Sequence, residues 1–135
     1  MNNRFVFIVP AHNAEETITR SLVSVWTQTH ENWKMIIIDD MSTDKTTEIV
    51  SQFKTRVGNS DKIELIVNED KKWEVGNIVQ GLNYCDKNDI VCRLDGDDWL
   101  CDTDALTIIN HKYNKLGCDV LWTAHRWSFS NHNIS

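Results

Sequence analysis

Several residue types and patterns are scarce in this chain of 135 residues. A single proline and five glycines exclude collagen-like and proline-rich chains. The longest apolar run extends only from Phe5 to Pro10, which predicts neither a transmembrane segment nor a signal peptide. We therefore expect a cytoplasmic location, with peripheral attachment at the inner face of the membrane left open.

Basic residues are also in deficit. The chain carries 14 lysines and arginines against 20 aspartates and glutamates, for a net charge of -6. Proteins that bind nucleic acid normally cluster basic side chains to neutralise phosphates, so we expect no nucleic-acid partner. A hydrophobic fraction of 41% is enough for one core, and no repeat or linker interrupts the pattern. These features predict a single domain over residues 1–135.

The cysteines lack the C-x-x-C spacing that is typical of zinc and redox sites. Without a signal peptide, a disulfide framework is not expected either. We therefore predict reduced, partly buried thiols at Cys85, Cys92, Cys101 and Cys118.

Short β-branched runs alternate with amphipathic stretches along the chain. Strands are predicted at 5–9, 35–38, 63–67, 90–94 and 120–122. The helical stripes between them are Ile18, Leu22, Val25 and Trp26; Ile49, Val50, Phe53 and Val57; Val75, Ile78, Val79 and Leu82; and Leu106, Ile109 and Tyr113. Continuous apolar strands are typical of parallel sheets that are covered on both faces. The pattern predicts an α/β fold: a doubly wound, mostly parallel sheet with helices on both faces.

Two helix starts carry capping signals. Asn13 with Glu16 three positions later fits a capping box for the first helix. Ser42 or Thr43 fits the N-cap of the second helix, and Asp44 would interact with its dipole.

Polar residues concentrate at three predicted strand ends, where ligands bind in open α/β sheets. These segments are Pro10-Ala11-His12-Asn13, Asp39-Asp40 and Asp95-Gly96-Asp97-Asp98. Closely spaced carboxylates repel one another unless a cation or hydrogen-bond donors compensate their charge. The clustering therefore points to a binding site at this edge of the sheet.

A divalent metal is the simplest ligand for the third segment. Asp95, Asp97 and Asp98 offer hard oxygen donors around a flexible glycine, which suits Mg²⁺ or Mn²⁺. An EF-hand loop is excluded because its twelfth position, which requires glutamate, is Leu106. A polar turn that caps the next helix is the structural alternative.

The second segment predicts contacts to a nucleotide. A second adjacent aspartate is not needed for capping, so Asp39 and Asp40 are candidates to accept hydrogen bonds from a base or a sugar. The chain has neither a G-x-G-x-x-G loop nor a P-loop. A bound diphosphate would therefore be held mainly by metal.

Four motifs occur in order between Arg4 and about Leu100. They are Pro10-Ala11-His12-Asn13, Ser24-Val25-Trp26-Thr27-Gln28-Thr29, Asp39-Asp40-Met41-Ser42-Thr43-Asp44 and Asp95-Gly96-Asp97-Asp98. Together they resemble the Pro-Ala-Tyr-Asn, Ser-x-x-x-Gln-Thr, Asp-Asp-x-Ser-Thr-Asp and Asp-x-Asp-Asp motifs of the family 2 glycosyltransferases, which have the Rossmann-like GT-A fold. His12 stands in the aromatic position of the first motif.

The resemblance implies transfer of a sugar from a nucleoside diphosphate sugar, of the uridine or thymidine type, with inversion at the anomeric carbon. It implies that Asp97 ligates Mn²⁺ or Mg²⁺, with Asp98 as the competing direct ligand. Asp95 would face the ribose or a metal-bound water. The acceptor, a glycan or a lipid-linked group, stays unspecified.

The resemblance also implies which residues hold the nucleoside, and here the chain departs from the family in one place. The implied contacts are Pro10, Ala11, Asn13 and Asp40. The segment Asn68-Glu69-Asp70 lacks the glycine that the family often has after the third strand. Lys72 and Asn77 remain candidate donor contacts.

The end of the chain is the larger departure. Family members continue beyond the fifth strand with the acceptor site and the aspartate that acts as general base. His125, Asp119 and His132 are expected to be solvated tail residues, so the catalytic base stays unknown. We therefore interpret the chain as the nucleotide-sugar-binding portion without the C-terminal acceptor half.

Three other functions share part of this pattern. The first is a non-catalytic fragment that binds a nucleotide sugar and metal and needs a partner for activity. A receiver domain is disfavoured because the third predicted strand ends in Asn68 where a phosphoacceptor aspartate would stand. A nucleotidyltransferase is disfavoured because the first loop is neither glycine-rich nor basic.

The tryptophans carry one prediction about assembly. Trp26 belongs to a core stripe, and Trp99 either forms the floor of a sugar site or packs under its loop. Trp122 and Trp127 would leave an apolar surface exposed near the chain end, which predicts self-association through this C-terminal face.

Overall fold

The computed structural model describes residues 1–125. In this part of the chain, strands and helices alternate as β1 (Phe5–Ala11), α1 (Ile18–Trp26), β2 (Trp33–Asp39), α2 (Thr46–Arg56), β3 (Ile63–Val67), α3 (Trp73–Leu82), β4 (Ile90–Arg93) and α4 (Ala105–Leu116). The strands form one sheet in the order β3-β2-β1-β4, and every neighbouring pair is parallel. The predicted α/β fold with a parallel sheet is confirmed.

The side chains of β1 alternate between two cores. Phe5, Phe7 and Val9 face one cluster, which includes Leu22 of α1, Phe53 of α2 and Leu106 of α4. Val6 and Ile8 face a smaller cluster with Ile78 of α3. Both faces of the sheet are therefore covered, as the continuous apolar run of β1 predicted.

The order of the strands changes direction next to β1. From β1 the chain winds outward through β2 to β3, and it then crosses by α3 to pair β4 with the other edge of β1. Loops that leave β1 and β4 therefore diverge to opposite sides and open a crevice at their carboxyl ends. Gly96 lies in this crevice, where an added Cβ would be 3.2 Å from the Cβ of Ala11.

The predicted capping box of α1 is wrong. Asn13 has a left-handed φ of 48°, and α1 begins at Ile18, with no side-chain cap from Thr17. The side-chain oxygen of Asn13 instead accepts a hydrogen bond from the N–H of Thr43 at 2.8 Å. A contact between two loops has thus replaced the local cap.

The predicted start of α2 is also corrected. The helix begins at Thr46, so Ser42 and Thr43 lie outside it. Asp44 satisfies an N-terminal donor, because its Oδ1 accepts from the N–H of Thr46 at 3.0 Å. The Ser42 hydroxyl accepts from the N–H of Asn13, which joins the loops after β1 and β2.

Of the apolar stripe predicted for α3, only Ile78 packs against the sheet. Val75 is 75% exposed and Val79 is 56% exposed, while the buried residues of α3 are Asn77 and Gly81. An added Cβ at Gly81 would lie 2.6 Å from Cγ2 of Ile8. The helix packs so closely through this glycine that only a narrow side of it is covered.

The predicted fifth strand is absent from the described residues, because 120–122 take no strand conformation there. Val120 is 65% exposed and Trp122 is 91% exposed, so neither side chain contributes to a core. Trp127 and His132 lie outside the described residues. All four cysteines are free, as predicted; Cys85, Cys92 and Cys118 are partly buried, whereas Cys101 is exposed, against the prediction. Within residues 1–125 we find no helix with the length and apolarity needed to cross a membrane.

Candidate functional site

A cavity of about 310 Å³ opens at the carboxyl ends of β1, β2 and β4. Seven of the residues predicted to bind the nucleotide sugar or the metal line this cavity. They are Pro10, Ala11, Asn13, Asp40, Asn77, Asp95 and Asp97. The three polar segments at the strand ends therefore meet around one crevice, because parallel strands deliver their carboxyl ends to the same edge.

The first two loops are joined by a histidine. Nδ1 of His12 lies 2.9 Å from the carbonyl oxygen of Asp40. Because a carbonyl oxygen only accepts, Nδ1 carries the proton in this contact. Nε2 of the same ring lies 3.4 Å from the amide nitrogen of Asn13. His12 thus holds the loop after β1 against the end of β2.

Asp40 is the most heavily engaged acid of the site. Its Oδ1 accepts from the N–H of Lys72 at 2.8 Å and from the amide of Asn68 at 3.0 Å, and its Oδ2 accepts from the N–H of Trp73 at 2.9 Å. Burial opposes ionisation, but these donors outweigh it and hold the pKa of Asp40 well below its usual range. The ionised carboxylate therefore holds residues 69–73 against the carboxyl end of β2.

Trp73 begins α3 in a left-handed conformation, with a φ of 61°. A bulky residue pays about 1–2 kcal/mol for that backbone, which the hydrogen bond from its N–H to Asp40 helps to offset. The indole is 71% exposed at the cavity, and Nζ of Lys71 lies 5.2 Å from the ring centroid. This strained backbone conformation therefore places the indole of Trp73, with Lys71 beside it, at the rim of the cavity.

Sequence reasoning missed Lys71, Trp73 and Glu74, which all line the cavity. The available signal was the loop between Asn68 and Asn77, whose two amides pair at 2.8 Å in the structure. That pairing sets which side of the loop faces the crevice, and it depends on a tertiary contact.

Two residues predicted to contact the sugar donor, Asp39 and Lys72, do not line the cavity. Asp39 is buried, and its Oδ2 accepts from the N–H of Ser42 at 3.0 Å, so the carboxylate orients the loop that follows β2. Its Oδ1 has no hydrogen-bond partner among the described residues. Lys72 acts through its backbone N–H on Asp40, and its side chain lies beside a shallow groove along α3.

The three acids after β4 form a compact cluster. Carboxylate oxygens of Asp95, Asp97 and Asp98 all lie within 4.8 Å of one another. The pKa of Asp98 is raised, first by the partial desolvation of its carboxyl and then by the charges of Asp97 and Asp95, while His125 acts in the opposite direction. A divalent cation would relieve this repulsion, and three hard oxygen donors fit Mg²⁺ or Mn²⁺.

Arg93 supplies a positive charge beside the cluster. Its Nε donates to Oδ1 of Asp95 at 3.1 Å, a second nitrogen donates to Oδ2 at 3.2 Å, and the guanidinium also pairs with Glu74. This fork orients the Asp95 carboxylate and connects it to the start of α3.

Trp99 follows the cluster and packs against α1. The guanidinium carbon of Arg20 lies 4.5 Å from the centroid of its ring. Because this face of the indole is covered by Arg20, the structure favours the packing alternative for that face.

Comparison with known proteins finds similarity to glycosyltransferases. The family model described as Glycosyl transferase family 2 matches residues 6–133. The chain is 36% identical over 94 residues to the UDP-Glc:alpha-D-GlcNAc-diphosphoundecaprenol beta-1,3-glucosyltransferase WfgD of Escherichia coli. This match covers 69% of the chain and 35% of WfgD, so the chain spans about a third of that relative's length.

Solved structures share the fold. The crystal structure of S. aureus TarS 1-349 superposes with a TM-score of 0.83 at 23% identity, covering 98% of this chain and 38% of that one. TarS 1-349 in complex with UDP-GlcNAc gives 0.72 at 23% identity, over 83% of this chain and 31% of that one. The mannosyltransferase PcManGT from Pyrobaculum calidifontis, in complex with GDP-Man and Mn²⁺, gives 0.69 at 21% identity, over 76% and 30%.

Proposed function

This chain belongs to glycosyl transferase family 2, and from that premise we propose that it forms the donor-binding part of a metal-dependent enzyme. The donor is a nucleoside diphosphate sugar of the UDP or dTDP type. The sugar passes with inversion to a glycan or a lipid-linked acceptor. The observation that carries the proposal is the single crevice in which the β1 loop and Asp40 meet Asp95 and Asp97 of the acid cluster; Asp98 belongs to the cluster but does not line the cavity.

The β1 side of the crevice suits the nucleoside. Pro10, Ala11 and Asn13 present a short apolar and amide surface, and Asn77 adds a second amide. Asp40 keeps its negative charge at neutral pH. It can therefore accept a hydrogen bond from the nucleotide base, or it can orient residues 69–73 around the base. The names of two relatives support a uridine donor, since WfgD is a UDP-Glc enzyme and TarS was crystallised with UDP-GlcNAc.

The β4 side suits the diphosphate. We assign the metal to Asp97 and Asp98, with Asp95 facing the ribose or a metal-bound water under the control of Arg93. A bound Mn²⁺ or Mg²⁺ would stabilise the charge that develops on the departing diphosphate. Lys71 also lines the cavity, where its Nζ lies 3.6 Å from Oδ2 of Asp40, and it adds a cation on the Asp40 side of the crevice. The PcManGT complex contains Mn²⁺, which supports a divalent metal in the proposal.

A lipid-linked acceptor follows one relative's chemistry. The name of WfgD specifies a diphosphoundecaprenol acceptor, and an enzyme with such a substrate works at a membrane surface. We therefore extend the proposal to peripheral attachment at the inner face of the membrane.

Calorimetric titration with UDP, with and without Mn²⁺, tests donor binding. We expect Mn²⁺ to strengthen UDP binding. In Asp97→Asn, UDP affinity in the presence of Mn²⁺ should fall about tenfold or more, because a metal ligand is removed. Asp61→Asn is the matched control, because Asp61 is an exposed acid just before β3 and away from the cavity. Parallel titrations with dTDP and GDP rank the bases. UDP affinity that ignores Mn²⁺ would contradict the metal role.

Turnover is tested separately, because the chain spans about a third of WfgD. Release of UDP from UDP-glucose or UDP-GlcNAc is measured with the chain that binds the donor. Release above the Asp97→Asn background would support catalysis by this chain. Binding without release would favour the non-catalytic alternative, in which the chain holds donor and metal and a partner supplies the acceptor site.

A further inference from the structure

We propose that Ser21 and Ser24 of α1 are positioning residues for the divalent-metal site. They hold the backbone of residues 95–100 from beneath, so that the acid cluster is already assembled when the metal arrives. The inference rests on the proposed metal site and assigns it two residues that do not touch the metal.

A polar edge runs along α1 beside its apolar stripe. Ser21 and Ser24 lie on α1, Thr17 directly precedes it and Gln28 follows its end; all four bond to the segment that carries the acids or to the residues just after it. The Ser-x-x-x-Gln spacing of residues 24–28 therefore has a structural role: it places both side chains on the side that faces the acid segment and the residues after it.

The hydroxyl of Ser21 contacts the backbone on both sides of Asp97. Its hydroxyl lies 3.2 Å from the carbonyl oxygen of Gly96 and is also bonded to the carbonyl oxygen of Asp98. Thr17 adds a second hydroxyl to the Gly96 carbonyl at 3.0 Å. Ser21 is only 1% exposed, so water cannot readily replace it. The two carbonyls are thereby turned toward α1, away from solvent.

Ser24 secures the far end of the segment. Its Oγ accepts from the N–H of Leu100 at 3.1 Å and donates to the carbonyl oxygen of Ser21 at 2.8 Å. Gln28 continues the edge by donating to the carbonyl oxygen of Asp102 at 2.6 Å and accepting from the N–H of Leu106 at 3.0 Å. The start of α4 is therefore fastened by the same edge.

This attachment opposes the repulsion within the cluster. Three like charges within 4.8 Å favour a loop that opens and separates them. Bonds made to backbone carbonyls and one backbone N–H keep the loop closed and leave the carboxylate oxygens for a cation. Without them, the free energy of metal binding is reduced by the cost of ordering the loop, and the affinity falls.

The test is Mn²⁺ affinity of the full chain, measured by calorimetry and by electron paramagnetic resonance of free Mn²⁺. We expect Ser21→Ala and Ser24→Ala each to weaken Mn²⁺ binding about three- to tenfold, the loss of one buried hydrogen bond. Ser24→Thr, which keeps the hydroxyl at a half-buried position, should restore binding. UDP affinity without metal should stay unchanged in all three.

Thr27→Ala is the matched control. Thr27 directly follows the same helix, and its hydroxyl also bonds to a carbonyl oxygen, that of Val23, but no hydrogen bond joins it to residues 95–100. We expect wild-type Mn²⁺ affinity. Amide hydrogen exchange of residues 96–100 without metal should be faster in Ser21→Ala and unchanged in Thr27→Ala.

Two results overturn the proposal in distinguishable ways. Wild-type Mn²⁺ affinity and exchange in both alanine variants would refute the positioning role while leaving the metal site intact. A wild-type chain that binds no Mn²⁺ would refute the metal site itself, and the proposal with it. Denaturation curves taken beside each titration ensure that only folded chains are compared.

Discussion

Asp40→Asn should destabilise the chain more than any substitution at an exposed acid. The carboxylate is buried and accepts three hydrogen bonds, from the N–H groups of Lys72 and Trp73 and from the amide of Asn68. An asparagine there has one oxygen and one nitrogen. Its least disruptive orientation points the nitrogen at Trp73, which sets two donors against each other.

The magnitude follows from these contacts. A lost hydrogen bond to a charged group costs about 1.5–3 kcal/mol, and the two remaining bonds weaken because their acceptor is neutral. We expect a loss of about 3 kcal/mol in the free energy of unfolding, equivalent to roughly 10 °C in Tm for a domain of this size. Trp73 also loses the contact that holds its left-handed backbone.

Urea denaturation followed by circular dichroism measures this loss. The midpoint should fall with an unchanged slope, because the same surface is exposed on unfolding. Asp61→Asn is the control and should stay within about 0.5 kcal/mol of wild type. A change for Asp40→Asn no larger than that of the control would refute the assigned role of the carboxylate.

The pH dependence gives a second test of the same residue. The pKa of Asp40 is lower in the folded chain than the ordinary value of 3.8, so the unfolded chain binds the proton first as the pH falls. The stabilisation is therefore complete at neutral pH and declines below about pH 4. The difference between wild type and Asp40→Asn should be constant from pH 7 to about pH 5 and should shrink in stronger acid.

Further predictions concern packing and assembly. Gly81→Ala should cost about 1–3 kcal/mol in urea denaturation, because the new Cβ would lie 2.6 Å from Cγ2 of Ile8; a neutral result would show that α3 can shift outward. Self-association through Trp122, which is 91% exposed, predicts a concentration-dependent sedimentation coefficient that Trp122→Ser abolishes. A monodisperse monomer at high concentration would refute that assembly.

The strands and the strand-end loops could be predicted from the sequence because their signals are local. The continuous apolar run of β1 requires burial on both faces, and a buried parallel sheet brings successive strand ends to one edge. Pro10, Asp40 and Asp97 could therefore be assigned to one site before any coordinates. Their meeting around one cavity depends on topology, which the alternation of strands and helices already indicated.

Tertiary contacts decided what the local signals could not. Asn13 has the chemistry of a helix cap, but its side chain bonds across to Thr43, thirty positions along the chain. The valines of α3 have helical spacing, yet Gly81 lets the helix approach Ile8 so closely that they stay exposed. In both cases a contact between distant segments outweighed a local preference worth about 1 kcal/mol.

The site shows the same division. Local sequence patterns are enough to predict that carboxylates and amides gather at the carboxyl edge of a parallel sheet, because hydrophobic periodicity places the strands and the polar residues follow them. The hydrogen bonds from Lys72 and Trp73 to Asp40, and the contact of Ser21 with the acid segment, depend on the three-dimensional fold. Those hydrogen bonds join residues far apart in the chain, and they form only once the packed cores have brought their segments together.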